Sequence, residues 1–495
     1  MRSAAWRLPF VIALTSCVHS GIAPTPLRDD RAALRSVIDS LLALPDTRSA
    51  RWGVLVVDPQ IGDTLYARDA GKLFVPASNM KIATSAVALD ALGPDFRFAT
   101  PFVYRGVLTN GVLRGDVVVV GRGDPTISDH VAGDAMLPLR AVADSLWTRG
   151  IRRVAGRILA DTMAFPDANV GFGWQFEDLD YSYGAMIDEL LFNEGFSQIH
   201  VRAASKPGDS LQVATSPAKT FPSLRVIAQT VARGVGPDSV ARLQAVKDTL
   251  RGDVVVSGTI PAGDTVTLEV THSNPVRAFV LAFREALRDR GITIGDSVIP
   301  MPSAARLDSV TLYSPPLSQI LPAFLKPSQN QIGEMLFKTI ALQRTDTGSA
   351  AIARRLVAEK LREWGAAPDG FLVWDGSGLS RRDLISPETI VHILDAMRRS
   401  PHFQVYFDAL PVAGIDGTVS GRMRSTAAEA NVRSKTGTLG NVRSLSGYVT
   451  TVEGRLLLFS ILCNNYLVPT ANISRVQDTI AVRLARLRRG GGGAR

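Results

Sequence analysis

The feature that most constrains the fold is a change of pattern near residue 99 of the 495-residue chain. From there to about residue 271, short β-like apolar runs such as Gly111–Val120 are separated by turns rich in Gly, Asp and Pro. Helical periodicity returns near Val276–Arg290 and continues in later segments. Because a chain of this length exceeds one ordinary core, we predict two or three domains, with a β-rich stretch in the middle.

The segments on either side of this stretch carry other patterns. Residues 51–70 are typical of a hairpin, and a helix with an apolar side is predicted to begin near Ser78 and to end at Gly93. The flanks therefore mix helices and strands. The remaining predicted elements are helical stretches at Leu317–Leu342, Gly348–Gly365 and Pro387–Arg398, strands at Leu445–Val452 and Arg455–Cys463, and a last helix from Ser474 to about Arg488.

The N-terminus is typical of a secretory signal. Arg2 and Arg7 precede the apolar run Leu8–Leu14, which is too short to cross a bilayer. Residues 14–17 resemble a bacterial lipoprotein box, in which Cys17 becomes the first residue and carries acyl chains; the alternative is ordinary signal cleavage with Cys17 incidental. We expect an exported protein of the periplasm or cell envelope, in contact with a membrane only through a lipid on Cys17.

The chain is basic, but the distribution of its basic residues does not predict a nucleic-acid partner. The formal net charge is +9 and the isoelectric point is about 9.7. The basic residues are scattered, however, and no Lys/Arg block is flanked by stacking aromatics. We therefore expect a soluble basic protein in an anionic envelope.

The two cysteines, Cys17 and Cys463, predict no intramolecular disulfide if Cys17 is lipidated. Cys463 ends a strand-like apolar run that begins at Leu456, and this context predicts a core residue and not a nucleophile. The fold must then be stabilised by its hydrophobic cores.

Three short motifs occur in a fixed order. Ser78–Lys81 reads S-x-x-K, Ser328–Asn330 reads S-x-N, and Lys435–Thr438 reads K-T-G-T. Together they are the signature of serine β-lactamases and penicillin-binding proteins. A second S-x-x-K, at Ser216–Lys219, contains a proline and lacks an amphipathic helix after it, so it is set aside.

The first motif predicts an activated serine nucleophile. Ser78 would start a helix, and Lys81 lies one turn later on the same face, so that its amine can reach the hydroxyl. Because a charged lysine is a poor base, Lys81 must be desolvated or placed near another cation, for which Lys435 is a candidate. Backbone N–H groups at Ser78 and on the K-T-G strand can form an oxyanion hole.

The other two motifs predict substrate-handling groups. Ser328 can relay a proton to a leaving amine, and Asn330 can hold the substrate amide and Lys81. Thr436 and Thr438, with Gly437 between them, can bind a terminal carboxylate of the substrate. We expect no cofactor and no metal, because none of the six histidines has the spacing of metal ligands.

Around these motifs the sequence resembles the low-molecular-mass class C penicillin-binding proteins, the D-alanyl-D-alanine carboxypeptidase/endopeptidase family. The resemblance extends from about residue 30 to residue 480. It implies an α/β (α+β) fold in which a mostly antiparallel sheet lies beside a helical lobe, with one or two β-rich domains inserted between Lys81 and Ser328. Its most specific pieces are Pro76–Lys81, Gly123–Thr126, Asp375–Arg381, Leu410–Thr418 and Ser434–Thr438.

These observations predict a division of the chain into six segments. The catalytic domain is split, and its two halves flank the insert. The predicted segments are a signal peptide with lipobox at 1–17, a tether at 18–30, the N-terminal half of the catalytic domain at 31–98, the insert at 99–300, the C-terminal half of the catalytic domain at 301–489 and a flexible tail at 490–495.

The resemblance implies a serine D,D-peptidase that trims peptidoglycan stem peptides. Ser78 would attack the carbonyl of the penultimate D-alanine, water would clear the acyl-enzyme, and β-lactams would mimic the substrate. The middle motif departs from the common S-D-N at Gln329. Some members bind the free end of a diaminopimelate side chain through a carboxylate of the insert, and Asp161 matches that region. Arg381 and Arg382 are further candidates for binding a substrate carboxylate.

Two alternatives stay open from the sequence. One is a serine β-lactamase; Glu189 and Asn193 have the spacing of a deacylating pair, but they precede the S-x-N motif, whereas the lactamase order places them after it. The other is a non-catalytic penicillin-binding sensor or wall-binding module. The sequence does not fix the balance of carboxypeptidase and endopeptidase action, the preferred third stem residue or the oligomeric state.

Overall fold

The computed structural model describes residues 30–216, 223–234, 240–248, 253–298 and 306–488. Strands and helices are numbered along these ranges. The strands are β1 Arg51–Asp58, β2 Asp63–Arg68, β3 Ala99–Thr109, β4 Val112–Val120, β5 Arg153–Val154, β6 Ile158–Asp161, β7 Phe196–Arg202, β8 Gln212–Ser216, β9 Leu224–Val226, β10 Gln229–Val231, β11 Arg242–Lys247, β12 Val254–Pro261, β13 Thr265–Thr271, β14 Thr293–Ile294, β15 Arg306–Tyr313, β16 Phe371–Leu372, β17 Leu384–Ile385, β18 Arg433–Leu439, β19 Val442–Thr450 and β20 Leu456–Asn464. The helices are α1 Asp30–Leu42, α2 Met80–Leu92, α3 Asp129–Ala132, α4 Met136–Thr148, α5 Pro275–Asp289, α6 Leu317–Leu325, α7 Asn330–Thr345, α8 Ala350–Glu363, α9 Pro387–Arg399, α10 Phe403–Ala409 and α11 Thr470–Ala485.

A five-stranded antiparallel sheet joins the two ends of the chain. Its order is β18-β19-β20-β1-β2, so the predicted hairpin near residue 51 pairs with a strand from the C-terminal region. Strand β20 is apolar and almost wholly buried, because helices cover both faces of the sheet. Helices α1 and α11 pack on one face, whereas α2 and α9 belong to the core on the other. Cys463 lies in the first of these cores with no exposed area, as predicted.

Helix α2 passes through the second core and carries the S-x-x-K lysine. Residues 80–89 are all buried, although the sequence pattern predicted only one apolar side. Helices α7, α8, α9 and α10 surround it, so a helix that is apolar nearly all round is stable here. Gly93 ends the helix with φ +80°, as its position in the sequence predicted.

The insert contains two structural units. The first is a six-stranded sheet in the order β14-β5-β4-β3-β15, with β6 beside β4, and it packs against α4 and α5. The second has a three-stranded sheet, β13-β7-β8, and a four-stranded sheet built on β12, which share one small core. Between β6 and β7, residues 162–195 are fully described and form short 3₁₀ turns without a strand. The insert is therefore more helical than the sequence predicted, although the α/β (α+β) class with inserted domains is confirmed.

Two boundaries differ from the sequence prediction. Strand β15 pairs antiparallel with β3, so the segment after residue 305 belongs to the sheet of the insert and not to the C-terminal half of the catalytic domain. We propose that the insert spans residues 99–313. The helical stretch predicted at Leu317–Leu342 is broken into α6 and α7, and Pro327 lies in the break.

The predicted N-terminal segments and the C-terminal tail lie outside the described residues, and Cys17 lies there with them. Among the helices of the described ranges, none combines the length and the apolar character needed to cross a membrane.

The side chain of Asn464 is predicted to stabilise the approach to α2. Its Oδ1 accepts from the Val75 N–H at 2.9 Å and its Nδ2 donates to the Val75 carbonyl at 3.1 Å. Asn464→Ala would leave both backbone groups without these partners and should lower the free energy of unfolding by about 2 kcal/mol. Urea denaturation measures the change. Asn472→Ala, which removes two exposed side-chain contacts, to Asp46 and from Arg475, should cost under about 0.5 kcal/mol, and equal costs would contradict the prediction.

Candidate active site

The three sequence motifs meet at one cleft of about 460 Å³. Helices α2 and α7 begin at it, strand β18 forms one wall, and the segment 162–195 of the insert contributes to another. The residues that line it are Ser78, Asp178, Tyr183, Ser328, Asn330, Gly378, Leu379, Arg381, Thr418, Thr436, Gly437, Thr438, Leu439 and Gly440.

Ser78 lies in a 3₁₀ turn immediately before α2, where the helix N-terminus favours developing negative charge. The side chain of the next residue, Asn79, donates to the Lys435 carbonyl at 2.9 Å and so ties this turn to β18. The two elements approach closely because residue 437 is glycine: a Cβ there would lie 2.5 Å from the Pro76 carbonyl oxygen. The close approach places the K-T-G strand directly beside the serine.

Lys81 is fully buried, and three acceptors surround its amine. Nζ donates to Ser78 Oγ at 2.9 Å, to Asn330 Oδ1 at 2.6 Å and to the Ser377 carbonyl at 2.6 Å. Burial lowers the pKa of Lys81 to about 7, against the opposing effect of nearby carboxylates, Asp375 first. Of the two causes that the sequence pattern allowed, desolvation or a neighbouring cation, desolvation is the main one.

Lys435 and Ser328 form the second pair across the cleft. Lys435 Nζ donates to Ser328 Oγ at 2.8 Å and to the Thr436 carbonyl at 3.1 Å. Burial, and then the charge of Lys81, lower the pKa of Lys435 well below its ordinary value. The two buried amines, Lys81 and Lys435, each make it less favourable for the other to be protonated. A substrate carboxylate that binds here would offset this repulsion by pairing with the positive charge.

The start of α7 is hydrogen-bonded to the insert. Asn330 Nδ2 donates to the Tyr183 carbonyl at 2.8 Å, and Gln331 Nε2 donates to the Ser182 carbonyl at 2.9 Å. Gln329 Nε2 donates to the carboxylate of Glu194. This contact explains the departure from S-D-N, because an aspartate at residue 329 would face a second carboxylate.

Several groups of the site were not found from the sequence. The Ser377 carbonyl belongs to a loop whose sequence, Asp375–Arg381, is part of the family resemblance, but only Arg381 in it had a predicted role. Glu334 accepts from the backbone N–H groups of Gly376 and Ser377 at 3.1 and 2.8 Å. Its position four residues after Asn330, on the same face of α7, is the signal that could have indicated it. Burial raises the pKa of Glu334 to about 8, and the Asp375 carboxylate adds to this effect.

The predicted substrate-binding residues fall into two groups. Thr436, Gly437, Thr438 and Arg381 line the cleft. Thr436 Oγ1 donates to Thr418 Oγ1 at 2.7 Å, and this second threonine was not predicted. Arg381 Nη1 donates to the Gly440 carbonyl at 3.2 Å.

Asp161 does not reach the cleft. It ends β6, paired with Val120 of β4, and is not among the lining residues, because strand pairing holds it in the sheet of the insert. Asp178 is the only acid among the described residues that line the cleft, and its Oδ1 accepts from the Tyr183 hydroxyl at 3.2 Å.

Neither Glu189 nor Asn193 lines the cleft. The Glu189 carboxylate accepts from the Phe165 N–H, and Asn193 Nδ2 donates to the Phe196 carbonyl at 2.9 Å. Both side chains are therefore used within the insert.

Within the described ranges, no group of three or more His, Cys, Asp or Glu side chains is arranged to hold a metal ion.

Comparison with known proteins agrees with this geometry. The chain matches the family described as D-Ala-D-Ala carboxypeptidase 3 (S13) family over residues 34–487. The protein belongs to this family. The resemblance inferred from the motifs is thereby confirmed, and the carboxypeptidase 3 family assignment covers both the catalytic regions and the insert.

Relatives of this carboxypeptidase 3 family member extend over most of its length. A D-alanyl-D-alanine carboxypeptidase of an Actinomadura species is 36% identical over 94% of this chain and 86% of its own. The D-alanyl-D-alanine carboxypeptidase DacB of Haemophilus influenzae is 28% identical, over 79% and 80% of the two chains. The crystal structure of penicillin binding protein 4 (dacB) from Haemophilus influenzae superposes with a TM-score of 0.74 at 24% identity, covering 91% of this chain and 99% of that one, which confirms the fold.

The pKa of Lys81 predicts a pH dependence for the acylation of Ser78 by a penicillin. The pKa of the Lys81 amine is about 7, so at lower pH the amine is protonated and cannot accept the Ser78 proton. The acylation rate constant should therefore fall about tenfold per pH unit below pH 7 and level off above pH 7. Stopped-flow acylation between about pH 5 and pH 9 measures the profile. Lys81→Arg, which stays charged, should be inactive throughout, and a wild-type rate that is independent of pH would contradict the prediction.

Proposed function

We propose that this protein is a serine D-alanyl-D-alanine carboxypeptidase that acts on peptidoglycan stem peptides through an acyl-enzyme on Ser78. Membership of the D-Ala-D-Ala carboxypeptidase 3 family is the evidence for this activity. The observation that carries the assignment of the nucleophile is the 2.9 Å hydrogen bond between the Lys81 amine and Ser78 Oγ at a helix N-terminus.

Acylation begins with proton transfer. Neutral Lys81 takes the hydroxyl proton of Ser78 while Oγ bonds to the carbonyl carbon of the penultimate D-alanine. Backbone N–H groups of Ser78 and of β18 stabilise the negative charge that develops on the carbonyl oxygen. The C–N bond then breaks, and Ser328 delivers a proton to the leaving amine. Lys435 restores the proton of Ser328, so the proton gained by Lys81 balances the one lost by Lys435.

Deacylation uses water as the second nucleophile. Water attacks the ester carbonyl and its proton passes to the Lys435 amine, which lost one during acylation. The ester C–O bond then breaks, and protonated Lys81 returns its proton to Ser78 Oγ, so both lysines regain their starting protonation. The products are the shortened stem peptide and free enzyme. A β-lactam forms the same ester but keeps its leaving amine attached, so its acyl-enzyme persists.

The terminal carboxylate of the substrate is bound at the K-T-G strand. It would be bound by Thr436 and Thr438, which line the cleft, and by Lys435. The negative carboxylate would favour the charged form of the buried Lys435 amine. Strand β18 is the edge of its sheet, so its free backbone groups can pair with an extended stem peptide.

The third residue of the stem is bound by Asp178 and Arg381. The two side chains have opposite charges and line the same cleft, which suits an amino-acid end that carries both an ammonium and a carboxylate. Asp178 thus takes the role that was predicted for Asp161.

The finer features of the assignment rest on the N-terminal sequence and on the open cleft. We propose that the protein is exported and that Cys17 carries a lipid anchor, because residues 14–17 resemble a lipobox. A cleft of about 460 Å³ that is bounded by the insert can also take a cross-linked stem, so endopeptidase action is included in the proposal.

A fluorescent penicillin should form a long-lived adduct with the wild-type protein and none with Ser78→Ala, because the ester needs the Ser78 hydroxyl. Intact-mass measurement over hours follows the adduct. The matched control is Ser216→Ala, in the other S-x-x-K sequence. The Ser216 hydroxyl lies away from the cleft and donates to Asp129 Oδ2 at 2.7 Å, so this variant should be labelled like the wild type.

The outcomes separate the candidate functions. Release of D-alanine from a pentapeptide together with a stable adduct supports the peptidase. Rapid drug hydrolysis without an adduct would make the protein a β-lactamase. An adduct without D-alanine release would favour a sensor or wall-binding role.

The choice of Asp178 over Asp161 predicts a substrate-dependent defect. Asp178→Asn removes the charge that faces the substrate ammonium and should lower kcat/KM about 10- to 100-fold on a stem with a free third-residue amine. On the same peptide with that amine acetylated, the variant and the wild type should differ little. Asp161→Asn is the matched control and should behave as wild type on both peptides. A loss in Asp161→Asn alone would favour Asp161 as the binding residue.

A further inference from the structure

Trp174 of the insert does not line the cleft, but it contacts the loop whose Ser377 carbonyl accepts from Lys81. Its indole Nε1 donates to Asp375 Oδ2 at 2.9 Å, although the two residues lie in different domains. The indole fits because residue 171 is glycine: a Cβ there would lie 2.3 Å from Trp174 Nε1. The hydrogen bond therefore depends on a local shape that the insert provides.

Asp375 is buried, and its carboxylate holds the loop that contacts Lys81. Oδ1 accepts from the Gly378 N–H at 2.6 Å, and Oδ2 accepts from the Ser380 N–H at 2.7 Å in addition to the indole. The Gly378 N–H and the Ser377 carbonyl belong to one planar trans peptide and point in opposite directions. Asp375 therefore turns the Ser377 carbonyl toward Lys81 Nζ, which lies 2.6 Å from it.

The same loop is held from the catalytic domain at other points. Glu334 accepts from the preceding peptide N–H groups, and Thr84 donates to the Gly376 carbonyl at 2.7 Å. Gly378 has φ +80°, and a Cβ on it would lie 1.9 Å from the Ala77 carbonyl oxygen. The loop is thus packed against the turn of Ser78, and a small rotation of its peptides changes the acceptor offered to Lys81.

We propose that Trp174 is a positioning residue for Lys81: by fixing the Asp375 carboxylate, it orients the Ser377–Gly378 peptide whose carbonyl accepts from the lysine amine. The insert thereby takes part in catalysis as well as in binding substrate. This inference rests on the proposed role of Lys81 as the base that activates Ser78.

The charged and titratable groups around Lys81 set the direction of the expected pH effect. Glu334 on α7, Asp375 and Asp383 in and after the loop, and Lys435 on β18 face it. Replacing Trp174 removes none of these groups. It loosens the carbonyl that stabilises the ammonium form of Lys81, so the pKa of Lys81 should fall and the acid limb of acylation should move to lower pH.

The test compares Trp174→Phe with wild type and with Trp147→Phe, the same substitution on α4 elsewhere in the insert. Acylation rate constant, apparent Kd for the penicillin and the fraction of protein acylated at completion are measured across pH. We expect Trp174→Phe to be acylated about tenfold more slowly on the plateau, with the acid limb at lower pH and Kd unchanged. Trp147→Phe should match the wild type.

Gly171→Ala provides a second lesion that keeps the indole but displaces it, and it should shift the rate and the pH limb in the same direction. The inference is overturned if both variants keep the wild-type rate constant and pH limb, or if their only change is a lower acylated fraction or a weaker Kd. Absence of acylation in the wild type would instead overturn the proposed function, so the two failures are distinguishable.

Discussion

The site depends on one buried amine. Lys81 has no exposed area, and a buried ammonium is costly unless its protons find acceptors. Its three acceptors are Ser78 Oγ, Asn330 Oδ1 and the Ser377 carbonyl, which come from the turn before α2, the start of α7 and the loop before β17. Only the first is close in sequence. The fold must therefore bring distant segments together before the lysine can act.

The insert is integral to this assembly and not an appendage. Its segment 162–195 accepts hydrogen bonds from Asn330 and Gln331, binds Gln329 through Glu194, and donates to Asp375 through Trp174. These contacts reach the start of α7, where Asn330 contacts Lys81, and the loop whose Ser377 carbonyl contacts the same lysine. A segment without strands can be ordered in this way because its backbone groups pair with side chains of the catalytic domain.

Local features could be predicted well from the sequence and long-range ones poorly. The serine and lysine of S-x-x-K, the K-T-G strand and the central helix follow from periodicity and short motifs. The Ser377 carbonyl could not be predicted, because a backbone acceptor leaves no mark in residue identity. Asp161 was placed at the site for a related reason: a strand-end aspartate gives no information on which wall its strand faces. Residues 306–313 were assigned to the catalytic domain because β3, the partner of β15, lies some two hundred positions earlier in the chain.

For the pKa of Lys81, the chemical type of its hydrogen-bond acceptors matters as much as their number. All three are neutral groups, whereas the Asp375 carboxylate binds the loop behind them together with the buried Glu334 carboxyl group. A carboxylate in direct contact would stabilise the ammonium and raise its pKa, which would keep the base protonated at neutral pH. With the charge placed one peptide away, burial prevails and the pKa of Lys81 stays at about 7. The Ser377–Gly378 peptide thus lets Asp375 orient the carbonyl that Lys81 contacts, while it keeps the Asp375 charge from stabilising the Lys81 ammonium directly.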